Sequence, residues 1–174
     1  CFWALDKALA YARHYFAINW NQSYSEYVND LAKWYDSNVS PRFLACRQQI
    51  QALLAEETKL MEIVKLIGSD VLPDDQKLVI EIARVIRVGY LQQNAFHNDD
   101  TYVPMAKQMK MMEVILHLYE KAKEAVASGK TVSSVLATGL FDKAVKMKYD
   151  VPNDHIEMLD DYIIEIDREI SRVR

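Results

Sequence analysis

Apolar side chains recur at helical spacing between residues 43 and 67, and this stripe constrains the fold more than any other feature. It comprises Phe43, Cys46, Ile50, Leu53, Leu54, Met61, Val64 and Ile67. Such a period places apolar side chains along one face of an α-helix. Ser40 and Pro41 suit the start of a helix, and Gly68 suits its end. The pattern therefore predicts one long helix over 41–68.

Similar stripes predict further helices along most of the chain. We expect them over 2–15, 25–35, 74–90, 104–128, 131–138, 141–147 and 152–173. Residues 17–25 have no helical period and are interpreted as a loop with aromatic anchors. The chain has only four glycines and four prolines in 174 residues, and no strand pattern is found. The predicted fold class is all-α, an irregular bundle of helices with an N-terminal aromatic loop segment.

Two of these helices allow an alternative use. Four methionines between residues 105 and 112 could form an adaptable binding surface, although such a stripe is more often core. The last helix carries a heptad-like seam that could meet a partner helix, although packing within the bundle is favoured. The seam comprises Ile156, Leu159, Ile163, Ile166, Ile170 and Val173.

Composition excludes several classes of protein. The net charge of −4 argues against a nucleic-acid surface, and the scattered lysines are interspersed with acids. They are Lys107, Lys110, Lys121, Lys123 and Lys130. No apolar run reaches the length needed to span a bilayer, and no signal peptide is visible. Cys1 and Cys46 give no disulfide framework, as expected in a reducing cytosol.

No complete catalytic apparatus is found in the sequence. Residues 128–131 read Ser-Gly-Lys-Thr, but the first glycine of a phosphate-binding loop and a preceding strand are missing, so a helix-terminating turn is predicted. His97 with Asp99 and Asp100 could in principle bind a metal, but a solvated loop is favoured. We therefore expect neither catalytic residues nor a metal site.

The stretch from Tyr90 to His97 reads Tyr-Leu-Gln-Gln-Asn-Ala-Phe-His and is the most suggestive of function. Its neutral amides can both donate and accept hydrogen bonds, and Phe96 offers a flat apolar face. Together they suit a purine or another planar ligand. The alternative is a polar helix end with one anchoring aromatic residue.

Three segments resemble the catalytic A subunit of V-type and archaeal A-type rotary ATPases. They are 13–25, 68–78 and 91–102, and the Gln-Gln-Asn-Ala-Phe run of 92–96 is the most specific of them. The resemblance covers residues 1 to about 104, and the remainder agrees in being helical. Phe16 departs from the family pattern, which usually has proline at that position.

The resemblance implies that residues 1–39 end a nucleotide-binding domain and that 40–174 form the C-terminal helical bundle. The phosphate-binding loop would lie upstream, and the absence of an initial methionine also suggests a fragment. ATP or ADP with Mg would bind the full-length protein, and no tightly bound cofactor is expected here. Adenine would contact Phe96, with Gln92, Gln93 and Asn94 shaping that edge of its pocket.

The segment 68–78 is also similar to the acidic lever of the related F-type catalytic subunit. The resemblance implies contact between the central shaft and Asp70, Leu72, Asp74 and Asp75. It further implies a cytoplasmic location, an alternating hexamer with the regulatory B subunit, and attachment to the membrane only through the complex. ATP hydrolysis or synthesis coupled to proton or sodium transport would belong to the full-length protein, and this chain alone is expected to be inactive.

The competing hypothesis is a stand-alone helical interaction module without a nucleotide role. The aromatic N-terminal segment discriminates between the two hypotheses, because a stand-alone module should cover Trp3, Trp20 and Trp34 with its own bundle. A large exposed apolar patch there would favour the ATPase hypothesis.

Overall fold

The computed structural model describes residues 1–68 and 70–173, and those residues are helical without a named strand. This confirms the all-α fold class. The helices are α1 (Lys7–Tyr11), α2 (Tyr27–Asp30), α3 (Ala32–Asn38), α4 (Phe43–Ile67), α5 (Asp74–Arg84), α6 (Asn98–Thr101), α7 (Met105–Ala127), α8 (Val132–Leu136), α9 (Leu140–Asp150) and α10 (Met158–Ser171). A π-helix, Val85–Leu91, continues α5.

The long helix α4 agrees closely with its prediction. Its buried face carries Phe43, Cys46, Ile50, Leu53, Leu54 and Leu60. Gly68 ends it with φ of 87°, a conformation that suits glycine because it lacks a Cβ atom. Helix α4 packs against both α5 and α7.

Helix α7 is the centre of the bundle and is buried on more than one side. It contacts α4, α5, α9 and α10. The predicted stripe that includes Met109 and Met112 is buried, and so is a second one. This second stripe comprises Lys107, Met111, Val114, Leu118 and Ala122. The methionines are therefore core, and the seam of α10 packs on α7 within the bundle through Leu159, Ile166 and Ile170.

The π-helix packs tightly on α9. A Cβ atom added to Gly89 would lie 2.9 Å from Cα of Val145 and 3.3 Å from the carbonyl oxygen of Ala144. Such distances leave no room for a side chain, so glycine allows the two backbones to approach. From Asp74 to Leu91 the chain is thus one continuous helical rod, fixed to α9 near its end.

The N-terminal helix prediction over 2–15 was wrong except for α1. Phe2 instead pairs with Tyr24, and Leu5 pairs with Ile18, in isolated antiparallel bridges. Phe2 and Leu5 are 52% and 81% exposed, so their stripe has no apolar surface to pack against. A short helix depends on such packing for its stability.

Other boundaries differ by smaller amounts. The helix predicted over 25–35 is divided into α2 and α3, residues 98–101 form the short helix α6, and α10 begins at Met158, well after Pro152. The domain boundary near residue 39 stays a prediction. Tyr35 of α3 stacks on Phe43 of α4 at 4.7 Å between ring centroids, so the two segments are in contact there.

Candidate functional site

The amide-rich stretch forms a loop that leaves the end of the π-helix and leads into α6. The N–H of Gln92 still bonds to Arg87 at 2.9 Å, in the π-helical pattern, and the chain then becomes extended. The N–H of Gln93 donates to the carbonyl oxygen of Tyr15 at 2.7 Å. The loop is therefore attached to the N-terminal segment as well as to the bundle. The Tyr15–Phe16 peptide bond beside this contact is cis.

Phe96 lies at the tip of this loop and is 98% exposed. Its N–H donates to the side-chain oxygen of Asn94 at 3.0 Å, which fixes a tight turn just before it. Asn94 is also exposed. Phe96 is thus not an anchoring residue of this bundle, and its ring is available to another molecule or another part of a longer protein.

The two glutamines of the stretch are half-buried. The backbone carbonyl oxygen of Gln92 accepts a hydrogen bond from the side chain of Lys148. The side chain of Gln93 donates to the carbonyl oxygen of Asp100 at 3.2 Å and lines a cavity of about 220 Å³ beside Tyr90. Of the four residues predicted to contact a base, Asn94 and Phe96 are therefore the exposed ones.

A buried ion pair lies directly behind the loop. Lys148 of α9 and Asp100 of α6 are each 2% exposed, with Nζ and Oδ2 3.5 Å apart. The same Oδ2 accepts the N–H of Asn94 at 2.7 Å. Burial lowers the pKa of Lys148, and the negative charge of Asp100 opposes this shift. Asp100 is consequently a buried structural carboxylate and not part of a solvated loop.

A second buried lysine holds the end of α9. Lys107, which is 0% exposed, donates to the carbonyl oxygens of Val151 at 2.6 Å and Lys148 at 3.1 Å and to Oδ1 of Asn153 at 3.0 Å. Carbonyls at a helix C-terminus lack partners within the helix, and a lysine can satisfy them. Burial lowers the pKa of Lys107, while Asp99 and Asp100 oppose this.

The possible metal ligands around His97 are engaged in this loop structure. Nδ1 of His97 accepts the N–H of Asp99 at 3.2 Å, and Oδ1 of Asp99 accepts the N–H of Asn153 at 2.9 Å. Within the part of the chain that the structure describes, no group of three or more potential ligands could hold a metal ion. The Ser-Gly-Lys-Thr segment forms the predicted turn, with φ of 94° at Gly129.

The predicted lever lies at the opposite end of the rod, between α4 and α5. Asp70 and Asp75 are exposed, whereas Oδ2 of Asp74 accepts the N–H of Val132 at 3.0 Å. Leu72 is only 5% exposed, so it stabilises this turn and offers little surface for a shaft contact. Ser69, within the same segment, lies outside the described residues.

Three apolar side chains at this turn are exposed among the described residues. Leu66 is 84% exposed, Val71 66% and Ile67 56%. Sequence reasoning missed this patch, because Ile67 was assigned to the buried stripe of α4. The turn between α4 and α5 therefore presents an apolar tip with acidic residues beside it.

The N-terminal segment presents a second, aromatic surface. Its exposed side chains include Phe2, Trp3, Tyr11, Tyr15, Phe16, Tyr24, Tyr27 and Trp34. Trp20 differs, because it is partly buried and packs against the core. A large exposed patch of this kind is the feature expected of a segment that contacts a further domain.

Sequence reasoning also missed Lys107 and Lys148, which it had treated as surface lysine or left unassigned. A signal was present in the spacing. Lys107 lies four residues before Met111 on the second buried stripe of α7, and Lys148 follows Met147 on the buried face of α9. A lysine in line with apolar core residues predicts a buried amine with specific acceptors.

Comparison with known proteins identifies relatives along nearly all of the chain. Residues 32–136 match the family described as C-terminal domain of V and A type ATP synthase. The chain is 44% identical to a V-type ATP synthase alpha chain of Halothermothrix orenii, over 99% of this chain and 29% of that protein.

Two further relatives give similar figures. A V-type ATP synthase alpha chain 2 of Clostridium tetani is 50% identical over 89% of this chain and 26% of its own length. The A subunit of an A-type ATP synthase of Methanopyrus kandleri is 45% identical over 88% and 26%. The chain thus spans under a third of the length of these relatives. None of the helices in residues 1–68 and 70–173 is long and apolar enough to cross a membrane.

Proposed function

The chain belongs to the family of C-terminal domains of V- and A-type ATP synthases, and we propose that it does two things in a catalytic A subunit. At one end of the rod Asp74–Leu91, the loop with Phe96 forms a wall of the adenine pocket. At the other end, the turn between α4 and α5 passes nucleotide-driven movement to the central shaft. Each proposal rests on two grounds: the family assignment and the exposed side chains described above.

The exposure of Phe96 is the observation that carries the first proposal. A ring that is 98% exposed on a hydrogen-bonded loop contributes nothing to the core of its own domain. An adenine base can stack on such a ring without any loss of the ring's intramolecular contacts. Asn94, exposed two residues earlier, would meet the edge of the base, while Gln92 and Gln93 would support the loop.

The phosphates and Mg would be bound by other parts of the full-length protein. The described residues have no acidic cluster that could hold a metal, and residues 128–131 form a helix-terminating turn and not a phosphate-binding loop. ATP hydrolysis or synthesis, coupled to proton or sodium movement, is thus proposed for the full-length protein. This chain would tune affinity for the nucleotide, and by itself it would be inactive.

The geometry of the rod supports the second proposal. Residues 74–91 are continuously helical, so a displacement of the loop is carried to Asp74 over about 25 Å at the usual helical rise. The neighbouring α4 runs to the same turn and packs along α5. A rigid-body rotation of the bundle would therefore move the turn and press it against the shaft.

The apolar tip supports a mainly apolar contact between this turn and the shaft. Exposed ion pairs contribute little in water, whereas burial of Leu66, Ile67 and Val71 against a partner would be favourable. Asp70 and Asp75 would surround this apolar contact, and Asp74 would start α5. In this proposal the partners are the shaft subunits and the regulatory B subunit of an alternating hexamer, which is peripheral to the membrane and cytoplasmic.

The aromatic N-terminal surface supports the proposal that residues 1–39 end a nucleotide-binding domain. Trp3 is 71% exposed, Tyr11 77% and Leu5 81%, values that contact with the remainder of such a domain would reduce. The relatives are more than three times as long as the matched region, which leaves ample chain for such a domain. The features that suggested a stand-alone interaction module pack within the bundle: Met109 and Met112 are buried, and so are Leu159, Ile166 and Ile170 of the α10 seam.

Replacement of Phe96 in the assembled complex tests the adenine-pocket proposal. Base stacking on an aromatic side chain contributes about 1–3 kcal/mol, so Phe96→Ala should raise KM for ATP about 5- to 150-fold with a smaller change in kcat. Thermal unfolding should not change, because the ring is exposed. Phe96→Tyr should retain most of the affinity and Phe96→Leu should not. An unchanged KM in Phe96→Ala would refute the proposal.

A further inference from the structure

The loop that presents Phe96 is attached to the bundle by buried charged groups, which the proposed function does not by itself require. Lys148 reaches the loop at two points: the carbonyl oxygen of Gln92 and the carboxylate of Asp100. Asp100 in turn accepts the N–H of Asn94. These contacts bracket the loop on the side before Phe96 and on the side after it.

The polar contacts fall on the backbone of the loop and not on the aromatic ring. The amide side chain of Gln93 adds a bond to the carbonyl oxygen of Asp100, and Thr101 donates to the carbonyl oxygen of Ala95. Because Phe96 is 98% exposed, packing in this domain does not orient its ring. Its position is therefore set by the backbone of the loop, which is in turn set by Lys148 and Asp100.

The lysine is itself held in place. The ring of Tyr149 lies 4.8 Å from Nζ of Lys148, a distance at which the ring attracts the positive charge. The backbone of Lys148 accepts a bond from Lys107, which also joins the end of α9 to the start of α7. The charged group behind the loop is thus fixed by two core helices.

We propose that Lys148 and Asp100 are positioning residues for the nucleotide site, which place the ring of Phe96 against the adenine base without touching the nucleotide. This inference rests on the proposed function of Phe96. A fixed backbone lowers the entropy that is lost when an aromatic side chain stacks on a ligand. Without the pair, the loop would still carry Phe96, but the ring would be placed less accurately.

The test is a mutant cycle in the assembled complex that contains the full-length protein. Lys148→Met with Asp100→Asn removes both buried charges together, so that neither is left unpaired. KM is measured for ATP and for ribose 5-triphosphate, which lacks the base. We expect KM for ATP to rise about 5- to 10-fold, within the range for a stacked base, and KM for the base-free substrate to stay the same. In a Phe96→Ala background the double replacement should cause no further rise.

Each alternative result has a definite meaning. Equal increases for both substrates, or an additive effect in the Phe96→Ala background, would overturn the positioning role and leave the role of Phe96 intact. An unchanged KM for ATP in Phe96→Ala alone would defeat the proposed function itself. Should the double variant fail to assemble, Lys148→Gln with Asp100→Asn, in which amides replace both charged groups, gives the same cycle without leaving either charge unpaired. Lys146→Met, an exposed position on the same helix, serves as the matched control.

Discussion

The two ends of the rod Asp74–Leu91 are built in opposite ways. At the Leu91 end, buried charged groups of α6, α7 and α9 hold the backbone of the following loop, and one aromatic ring is exposed. At the Asp74 end, three apolar side chains are exposed on a turn whose polar contacts to the rest of the chain are few among the described residues. Under the proposed function, a ring that stacks on a base would need accurate placement, whereas a contact that transmits force would need area.

The two ends of the rod also differ in how their side chains contribute to stability. A buried ion pair gains little net stability, because desolvation of both charges offsets their attraction. Its presence at the Leu91 end is therefore better explained by placement of the backbone than by stability. The Asp74 end contains no such pair among the described residues, and its exposed Leu66 contributes little to the core.

The largest expected effect comes from removal of one partner of the buried pair. Lys148→Met leaves the carboxylate of Asp100 buried without its cation and should lower the free energy of unfolding by about 3–5 kcal/mol. Lys146→Met, on the exposed face of the same helix, should change it by less than about 0.5 kcal/mol. Urea denaturation of both variants measures the difference. Similar small effects would mean that the Leu91 end is not held by this pair.

The second largest effect on stability is expected where the π-helix closely approaches α9. Gly89→Ala places a methyl group 2.9 Å from the Cα atom of Val145, so a backbone must shift. We expect unfolding to become easier by about 1–3 kcal/mol, as for other overpacked sites. In a helix without such a clash, alanine would instead stabilise by about 0.5–1 kcal/mol. The sign of the change in urea denaturation therefore decides whether the rod is fixed here.

Much of the fold could be predicted from spacing, because most helices bury a single stripe. The stripe of α4 and the glycine stop after it were predictable, since helix period and glycine conformation are local properties. The N-terminal segment was not, because Phe2 and Leu5 follow a helical period without anything to pack against. Local pattern does not reveal whether a partner surface exists.

The candidate site was predictable in part for a related reason. The sequence identified the stretch around Phe96 by its residue types, but not the buried lysines behind it. Lys107 and Lys148 contact groups 41 to 56 residues away in the chain, so their role depends on tertiary packing. The exposed apolar tip was missed because Ile67 continues the helical spacing of the buried stripe of α4. The last turn of α4 is exposed, so the spacing does not imply burial there.

The smallest effects on stability are expected at the Asp74 end. Variants there also test the difference between the two ends of the rod. Replacement of Leu66, Ile67 and Val71 by serine should change the free energy of unfolding by less than about 0.5 kcal/mol per site, because these side chains are exposed. Replacement of Asp70, Asp74 and Asp75 by alanine should cost about 1 kcal/mol in total, mainly through the bond from Val132 to Asp74.

The effect on rotation should separate the two variants, although their effects on stability are both small. If the tip pushes through apolar contact and shape, the serine variant should lose most of the torque that a complex develops under load, while the alanine variant should retain most of it. The physical reason is that exposed charges are screened and hydrated, so their removal alters little, whereas an apolar contact loses about 25 cal/mol for each Å² no longer buried. Loss of torque in the alanine variant alone would show that the acids carry the contact, and the two ends of the rod would then both depend on charge.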